Sequence, residues 1–506
     1  MSPKLRAPLP GPLRASALAG ALGATLALAL PAAGAAALAE AAKIGGEIPI
    51  TSRSPEAVAL LRAGRDKALN FQPAAAIEFL TKALALDPEF ALATAWLARC
   101  KSGEAALELA EKAVRLSASL PPTERLLIET LRAEKRGDDE AQRRLKRELA
   151  DLAPADWFAQ FQLGVQSQYD HKSQAALIYL NRAVKLNPEL AEAYNYLGFV
   201  LAQQGMHEEG VAAARKFVEL MPTEPNSYDA LGEVLLLVGR LDEAEAQFHH
   251  ALELDPRLWM ASAGVAYVRA FRGDFAGARE ATARGRKAQL APAERQALLL
   301  VDAWGWLAQG KPAEALEQVD GLEKEAAARK DDTAVAWAQL QRAEMDLELT
   351  RLDHARAQAA SARERLARAP VGEEQIRVRR QLLIFDASLA AAARQPAAGG
   401  RAVAALEAEL KSAPSNSDLR AALQYARGLQ ALAAREPARA ADRFALCPEE
   451  AVRCRMRLAE AHDLAGEPRA AEEARAQLLA HGLRDALHRG QDPEYLYFRA
   501  RLAAKR

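Results

Sequence analysis

Apolar and small residues recur along this chain at the spacing of amphipathic helices, and the whole pattern repeats. Three glycines and three prolines each recur at one constant interval: Gly164, Gly198, Gly232, Pro188, Pro222 and Pro256. The interval is about 34 residues, the length of one helix-turn-helix unit. Apolar stripes of helical period lie between one proline and the next. Because proline lacks an N–H and disfavours helix in the residue before it, each proline marks the end of a second helix.

The copy that ends at Pro256 shows the unit in full. Its pattern residues are Tyr228, Leu231, Gly232, Leu235, Ala244, Phe248, Ala251 and Pro256. We expect the glycine to lie where two antiparallel helices come too close for a larger side chain. An earlier copy is visible at Ala76, Leu80, Ala83 and Pro88.

This unit resembles the tetratricopeptide repeat, and the run Leu252-Glu253-Leu254-Asp255-Pro256 is similar to the ending of that family's repeat. The resemblance implies an all-α fold, a right-handed superhelical solenoid of antiparallel helix pairs. It also implies that a protein or peptide partner binds in the concave groove lined by the first helix of each pair.

The strictness of the repeat varies along the chain and divides it into segments. We predict repeat-like pairs over 54–156, a regular array over 157–290, degenerate pairs over 291–393, a linker and helix over 394–412, and pairs with a capping helix over 413–506. The linker is predicted from Gln395-Pro396 and Gly399-Gly400. The capping helix is predicted from the apolar stripe of Tyr495, Phe498 and Leu502, because an uncapped end exposes its stacking face.

Residues 1–39 have the pattern of an export signal. A basic region at Lys4, Arg6 and Arg14 precedes an uncharged stretch, and Ala37-Leu38-Ala39 supplies small residues for cleavage. Residues 40–53 are then a linker. The pattern predicts an exported protein of the periplasm or the medium, with no membrane span after cleavage. The alternative is an inner-membrane protein anchored by an uncleaved signal. The run from Ile50 to Ala57, with the segments 83–91 and 124–129, resembles large repeat proteins of bacteria, which implies a bacterial protein.

The three cysteines are Cys100, Cys447 and Cys454. An exported protein meets an oxidising compartment, where Cys447 and Cys454 are close enough in sequence to form a disulfide. The alternative interpretation is that these two are ordinary small residues. If they form the disulfide, Cys100 is the unpaired thiol, a small apolar filler beside Trp96 and Leu97.

Charge and motifs argue against several functions. Lys plus Arg equals Asp plus Glu at 67 each, so no net field attracts nucleic acid. The eight histidines are scattered without a His-Glu-x-x-His spacing, and no phosphate loop, nucleophile elbow or Cys-x-x-Cys is present in the sequence. We therefore predict a non-enzymatic protein without a metal site or cofactor.

The resemblance places specific residues in the groove. Positions 2, 5, 9, 12 and 13 of each repeat face the groove in that family, and we expect the regular core to form it best. The predicted peptide-binding residues are Phe158, Phe161, Tyr169, Asn195, Phe199, Asn226, Asp229, Met260, Tyr267 and Phe271. Rings supply apolar anchors, and amides pair with a peptide backbone. The alternative is that these aromatic residues pack between repeats.

The leading hypothesis is an exported scaffold or adaptor that binds a protein or peptide partner, in cell-envelope assembly or signalling. One alternative is an accessory subunit of an envelope enzyme complex. Another is a hydrolase or transferase site concealed in the degenerate residues 292–412. An enzyme in that region would need a polar pocket, whereas helix pairs without one would exclude it.

Overall fold

The structure is a computed structural model, and it describes residues 47–70, 72–414, 416–448, 451–481 and 494–504. Within these residues it contains 25 helices and no strand. Twenty-four of the helices form twelve successive pairs joined by short turns, and one further helix follows them. The chain is therefore an all-α solenoid of helix pairs.

The first six pairs are α1 (Pro55–Leu69) with α2 (Pro73–Leu86), α3 (Ala91–Cys100) with α4 (Glu104–Leu116), α5 (Pro122–Arg136) with α6 (Asp139–Leu152), α7 (Trp157–Tyr169) with α8 (Ser173–Leu186), α9 (Ala191–Gln203) with α10 (His207–Leu220), and α11 (Pro225–Leu237) with α12 (Leu241–Leu254). Neighbouring first helices contact each other, as α9 does with α11. Together the first helices form what we call the inner face.

The next six pairs are α13 (Trp259–Phe271) with α14 (Phe275–Arg286), α15 (Pro292–Ala308) with α16 (Pro312–Ala328), α17 (Asp332–Glu348) with α18 (Leu352–Leu366), α19 (Glu373–Ala392) with α20 (Pro396–Ser412), α21 (Ser417–Ala433) with α22 (Pro437–Phe444), and α23 (Val452–Ala465) with α24 (Pro468–His481). The final helix is α25 (Tyr495–Ala504). From α15 to α21 the first helices are 17 or 20 residues long, against 13 in α7 to α13. Longer helices explain why the repeat period fades after Pro292.

The turn between the first and second helix of a pair has a residue with positive φ at a fixed position. These residues are Gly103, Gly137, His171, Gly205, Gly239 and Gly273, with φ between 57° and 82°. They recur at the same constant interval as the glycines and prolines of the apolar pattern. The strict period of the turns therefore begins at Gly103, within the segment 54–156 that the apolar pattern placed outside the regular array.

Glycines bring the helices of neighbouring pairs together around one aromatic ring. A Cβ atom on Gly232 would lie 2.7 Å from the ring of Phe248, and one on Gly264 would lie 2.5 Å from it. The ring is fully buried. Gly232 thus lies at the close approach that the sequence predicts, because a larger side chain would overlap Phe248.

The structure differs from the predicted linker and adds a contact to the predicted capping helix. Gly399 and Gly400, the predicted linker, lie inside the 17-residue helix α20, where Gly399 packs against Gln430 of α21. Helix α25, predicted to cap the array, packs against α15 on the inner face, and its Tyr495 hydroxyl donates to the Leu479 carbonyl of α24 at 3.3 Å. Small residues at 399–400 thus provide helix contact, and Tyr495 and Phe498 of α25 are buried.

The predicted signal, residues 1–39, lies outside the described residues. Of the predicted linker, residues 47–53 are described, and they bind to the ends of first helices. The Ile48 amide donates to Asp156 Oδ2 at 3.0 Å, and the Thr51 amide donates to Glu124 Oε1 at 3.0 Å. No helix of the described residues is both long and apolar enough to span a membrane.

We predict that Gly264→Ala lowers the free energy of unfolding by about 2 kcal/mol, because the added methyl group overlaps the Phe248 ring. The matched control is Gly321→Ala in α16, where a Cβ would meet no atom within 4 Å. The control should raise stability by up to about 1 kcal/mol through helix propensity. Urea unfolding, monitored by circular dichroism, measures the free energy of unfolding of both variants. A change of the same sign in the two variants would contradict the packing argument.

Candidate functional site

The aromatic residues predicted to line the groove are largely buried. Phe158, Phe161, Phe199 and Tyr267 belong to the core. The Phe158 ring packs 5.2 Å from the ring of Trp96, between centroids. The burial of these four rings is what the alternative interpretation, packing between repeats, requires. In this conformation they do not form an open apolar surface.

The other predicted residues are spread over several environments. Asn195, Asn226, Met260 and Phe271 are half-buried, and Tyr169 is 45% exposed. Asp229 is 3% exposed, and burial, with the nearby Glu233, raises its pKa well above the usual range. The structure therefore does not bring the predicted residues together as one apolar groove.

The chain's own C-terminal helix covers part of the predicted groove. The Tyr495 ring of α25 lies 6.0 Å from the ring of Phe271, and the Arg499 guanidinium lies 3.8 Å over the Phe271 ring centroid. Tyr497 of the same helix packs 5.8 Å from the ring of Trp304 in α15. The inner face of α13 and α15 is thus occupied by the protein itself.

A cavity of about 750 Å³ opens on the inner face of the second half, and we call it the central cavity. Residues from the first helices α15, α17, α19, α21 and α23 line it. The turn after α7 reaches its edge, where the Ser417 hydroxyl donates to the Tyr169 carbonyl at 3.5 Å. The cavity lies in the loosely repeated half, whereas the sequence predicted a groove in the regular core.

Apolar rings and side-chain amides make up much of the wall. The rings of Trp259, Trp337 and Tyr425 line the cavity. Gln296 of α15, which is 7% exposed, and Gln381 of α19 also line it. Within the described part of the chain, Gln296 Nε2 and Gln381 Oε1 are buried without a hydrogen-bond partner. One unsatisfied donor and one unsatisfied acceptor therefore belong to the wall.

An ion-pair network closes one side of the central cavity. Both terminal nitrogens of Arg453 in α23 donate to Glu344 of α17, at 2.9 and 2.8 Å. Arg453 Nε donates to Glu494 at 2.6 Å. Burial raises the pKa of Glu494, although Arg453 opposes this. Charge-assisted, bidentate pairs of this kind connect helices that are far apart in sequence.

The network continues toward the C-terminal ends of the same helices. Arg457 donates to Glu348 at 3.1 Å and to Glu460 at 2.6 Å, and Arg501 of α25 donates to Glu348 at 2.9 Å. Burial alone would lower the pKa of Arg457, but the carboxylates of Glu460 and Glu348 hold it well above its ordinary value. These contacts fix α25 and α23 to α17.

The region suggested for a concealed active site, residues 292–412, is made of the helices α15 to α20. It contributes Gln296, Glu344 and Gln381 to a partly polar cavity. Helix pairs without a polar pocket would have excluded an enzyme in this region, and that condition is not met. Among the described residues, no group of three or more His, Cys, Asp or Glu side chains is placed to hold a metal ion.

Sequence reasoning missed the cavity residues because their spacing is irregular. Gln296, Gln341 and Gln381 line the cavity from three successive first helices, but the two intervals between them are unequal. Both intervals are longer than the repeat period, so a search at that period does not align the three residues. Their common feature, an amide on a first helix of the degenerate segment, was visible in the sequence.

Cys447 and Cys454 form a disulfide, with their Cα atoms 6.3 Å apart. It joins the loop before α23 to the first turn of that helix, next to Arg453. The Arg455 guanidinium donates to the Cys447 carbonyl at 3.0 Å. Cys100 is a free, half-buried thiol, and burial raises its pKa.

One acidic residue of the N-terminal half has a pKa near neutrality. Glu192 of α9 lies near Arg99 and Glu134, which form an ion pair of 3.5 Å. Burial raises the pKa of Glu192 to about 7, with Arg99 opposing and Glu134 adding to the shift. The folded protein therefore binds a proton at Glu192 more tightly than the unfolded chain does.

Comparison with known proteins agrees with the repeat architecture. A family model described as tetratricopeptide repeat matches residues 225–258. Anaphase-promoting complex subunit 3 of Schizosaccharomyces pombe is 32% identical over 81 residues, which are 16% of this chain and 12% of that protein. Proteins of this repeat are generally non-catalytic scaffolds.

Two solved structures are similar over part of the chain. MamA from Desulfovibrio magneticus is 19% identical and aligns with 33% of this chain and 93% of its own, with a TM-score of 0.30. YrrB, described as a tetratricopeptide-repeat protein with an unusual peptide-binding site, is 18% identical over 42% of this chain and 92% of its own, with a TM-score of 0.27.

We predict that Glu192→Gln changes how stability depends on pH. Because the folded-state pKa is raised, the stability that Glu192 contributes is present below about pH 4.5 and is lost as the pH rises to about 7. Wild type and variant should match at pH 4, and the variant should be more stable at pH 8 by on the order of 1 kcal/mol.

Urea unfolding at several pH values measures this difference. Glu189→Gln, at an exposed position just before α9, is the control and should follow the wild type. A difference between wild type and Glu192→Gln that does not change between pH 4 and pH 8 would contradict the raised pKa.

Proposed function

Since this chain is a protein of tetratricopeptide repeats, we propose that it is a non-enzymatic scaffold that binds a segment of a partner protein in the central cavity. The observation that carries the proposal is the pair of unsatisfied amide atoms on Gln296 and Gln381 in the cavity wall. A peptide backbone offers an N–H and a C=O in every residue, so a small rotation of each amide would satisfy both.

The rings of the wall supply the apolar part of such a site. Trp259, Trp337 and Tyr425 can hold an apolar side chain of the bound segment, as aromatic residues do at the centre of protein interfaces. The volume of about 750 Å³ accommodates a few residues of an extended segment.

Charged side chains around the cavity are largely paired within the protein. Glu344 is held by Arg453, and Glu374 by Arg377. Glu294 accepts from the Ala291 amide at 2.7 Å. A strongly charged segment would therefore have to displace these internal partners, and we propose a ligand recognised through its backbone and an apolar anchor.

We also propose that the protein acts outside the cytoplasm, in the cell envelope or the medium. The signal-like residues 1–39 support this, and so does the disulfide between Cys447 and Cys454, since disulfides persist in oxidising compartments. We include in this proposal a role for the protein in assembly or signalling in the cell envelope.

A displayed library of random peptides, selected on the purified protein, tests the binding site. We expect enriched peptides whose affinity falls about 30-fold in Gln296→Leu/Gln381→Leu, since two hydrogen bonds of about 1 kcal/mol each are lost. The same variant should be at least as stable as the wild type, because it removes two buried unsatisfied polar atoms.

Gln358→Leu on the second helix α18 is the matched control and should leave peptide affinity unchanged. Affinity is measured by fluorescence anisotropy, and stability by urea unfolding. The proposal is overturned if no peptide is enriched, or if enriched peptides bind the double glutamine variant as well as the wild type.

Thiol labelling of the protein from its native host tests the compartment. After denaturation without reductant, we expect one thiol, Cys100, to react with iodoacetamide, and three to react after reduction. The mass of the purified chain should show cleavage after residue 39. Three reactive thiols before reduction, together with an intact N-terminus, would contradict export.

A further inference from the structure

A second cavity lies on the far side of the ion-pair network from the central cavity. It has a volume of about 630 Å³ and lies at the C-terminal ends of α17, α19, α21 and α23. We call it the turn-edge cavity, because three turns that join a first helix to its second helix border it. The residues that matter here are Thr350, Ser388, Arg394, Leu429, Leu432 and Arg435.

The three bordering turns share an unusual backbone feature. Thr350, Arg394 and Arg435 have φ values of 61°, 55° and 63°. Other turns of this kind have glycine at the position, including Gly239 and Gly310. Residues with a Cβ are disfavoured in this conformation, and a β-branched threonine most of all.

The backbone therefore does not explain why glycine is missing from these three turns. Within the described residues five non-glycine residues have positive φ, and three of them border this one cavity. Unfavourable backbone conformations of this kind concentrate at functional sites, where the side chain is needed. The side chains of Arg394 and Arg435 are thus placed at the cavity in spite of an energetically unfavourable backbone conformation.

The charge of the turn-edge cavity is strongly positive. Arg457 and Arg501 also line it, but they are paired with Glu348 and Glu460. Arg394 and Arg435 are exposed, and neither forms an ion pair with another described residue. Two guanidinium groups from successive turns are therefore available to an anion.

A favourable interaction with the helix dipole is the simplest competing explanation for these arginines. Each follows the end of a helix, where a positive charge is stabilising. That explanation accounts for the charge but not for the left-handed backbone, since an arginine one turn earlier would serve equally. It also does not account for the leucines that share the cavity.

The remaining wall is apolar with two hydroxyl groups. Leu429 and Leu432 of α21 and Leu347 of α17 line it, and Ser388 and Thr350 add hydroxyl oxygens. Their O–H groups donate to the backbone carbonyls of Ile384 at 3.2 Å and Leu349 at 2.7 Å. A ligand here meets positive charge at the rim and leucine side chains behind it.

We infer that the turn-edge cavity binds a small organic anion, whose carboxylate or phosphate group pairs with Arg394 and Arg435 and whose apolar body lies against the leucines. Guanidinium groups bind both anionic groups in a bidentate manner. The volume is within the range of small-molecule sites. This site is separate from the central cavity and does not depend on the proposed peptide binding.

Isothermal titration calorimetry of the full chain with three probes tests the inference. Octanoate carries both charge and an apolar body, octanol carries the apolar body alone, and inorganic phosphate carries charge alone. We expect saturable binding of octanoate at one site, weaker binding of phosphate, and no saturable binding of octanol. Phosphate should compete with octanoate.

The double variant Arg394→Ala/Arg435→Ala should weaken octanoate binding at least ten-fold. The control Arg62→Ala/Arg147→Ala removes two exposed arginines elsewhere, with the same loss of charge, and should bind octanoate like the wild type. Circular dichroism and the urea midpoint show whether each variant is folded. Peptides selected on the central cavity should bind Arg394→Ala/Arg435→Ala with unchanged affinity.

Three outcomes would overturn the inference. The first is that octanoate shows no saturable binding to the wild type. The second is equal weakening in the cavity variant and the control, which would mean an effect of net charge alone. The third is phosphate binding as tight as octanoate, which would remove the role of the leucines and leave a site for inorganic anions.

Discussion

The structure depends on the stacking of helix pairs, because a single pair cannot bury both of its apolar faces. Second-helix residues such as Phe248 are buried between the first helix of their own pair and the first helix of the next. Gly232 and Gly264 permit this by leaving room for one ring between two helices. The same contact, repeated, builds the array and aligns the first helices side by side.

Alignment of the first helices produces an inner face that the protein uses in part for itself. Helix α25 lies on α13 and α15, and Arg453, Arg457 and Arg501 connect it and α23 to glutamates of α17. The glutamates of this network are largely buried, so loss of an arginine partner would leave a buried carboxylate without its counter-charge and destabilise the fold. The network is therefore a specific link between segments that are far apart in sequence, and it separates the central cavity from the turn-edge cavity.

Both cavities lie in the degenerate half, where the repeat period is lost. The first helices that line them include α17 and α19, of 17 and 20 residues, which are longer than those of the regular core. In the regular core, short helices and large rings such as Phe161 fill the equivalent space. The resemblance to the tetratricopeptide repeat correctly indicated a scaffold of helix pairs, but four of the aromatic residues that the family positions assigned to the groove are buried here.

The sequence by itself determined the helix pairs, their turns and the positions of close approach, because these follow from local rules. Glycine at a left-handed turn, proline after a second helix and the apolar period all act within one repeat. Only the tertiary structure decided where α25 packs, which arginines meet which glutamates, and that Gln296 and Gln381 share a wall. Those contacts join residues from distant repeats, and their geometry depends on the summed rotation of every intervening pair, which no local pattern records.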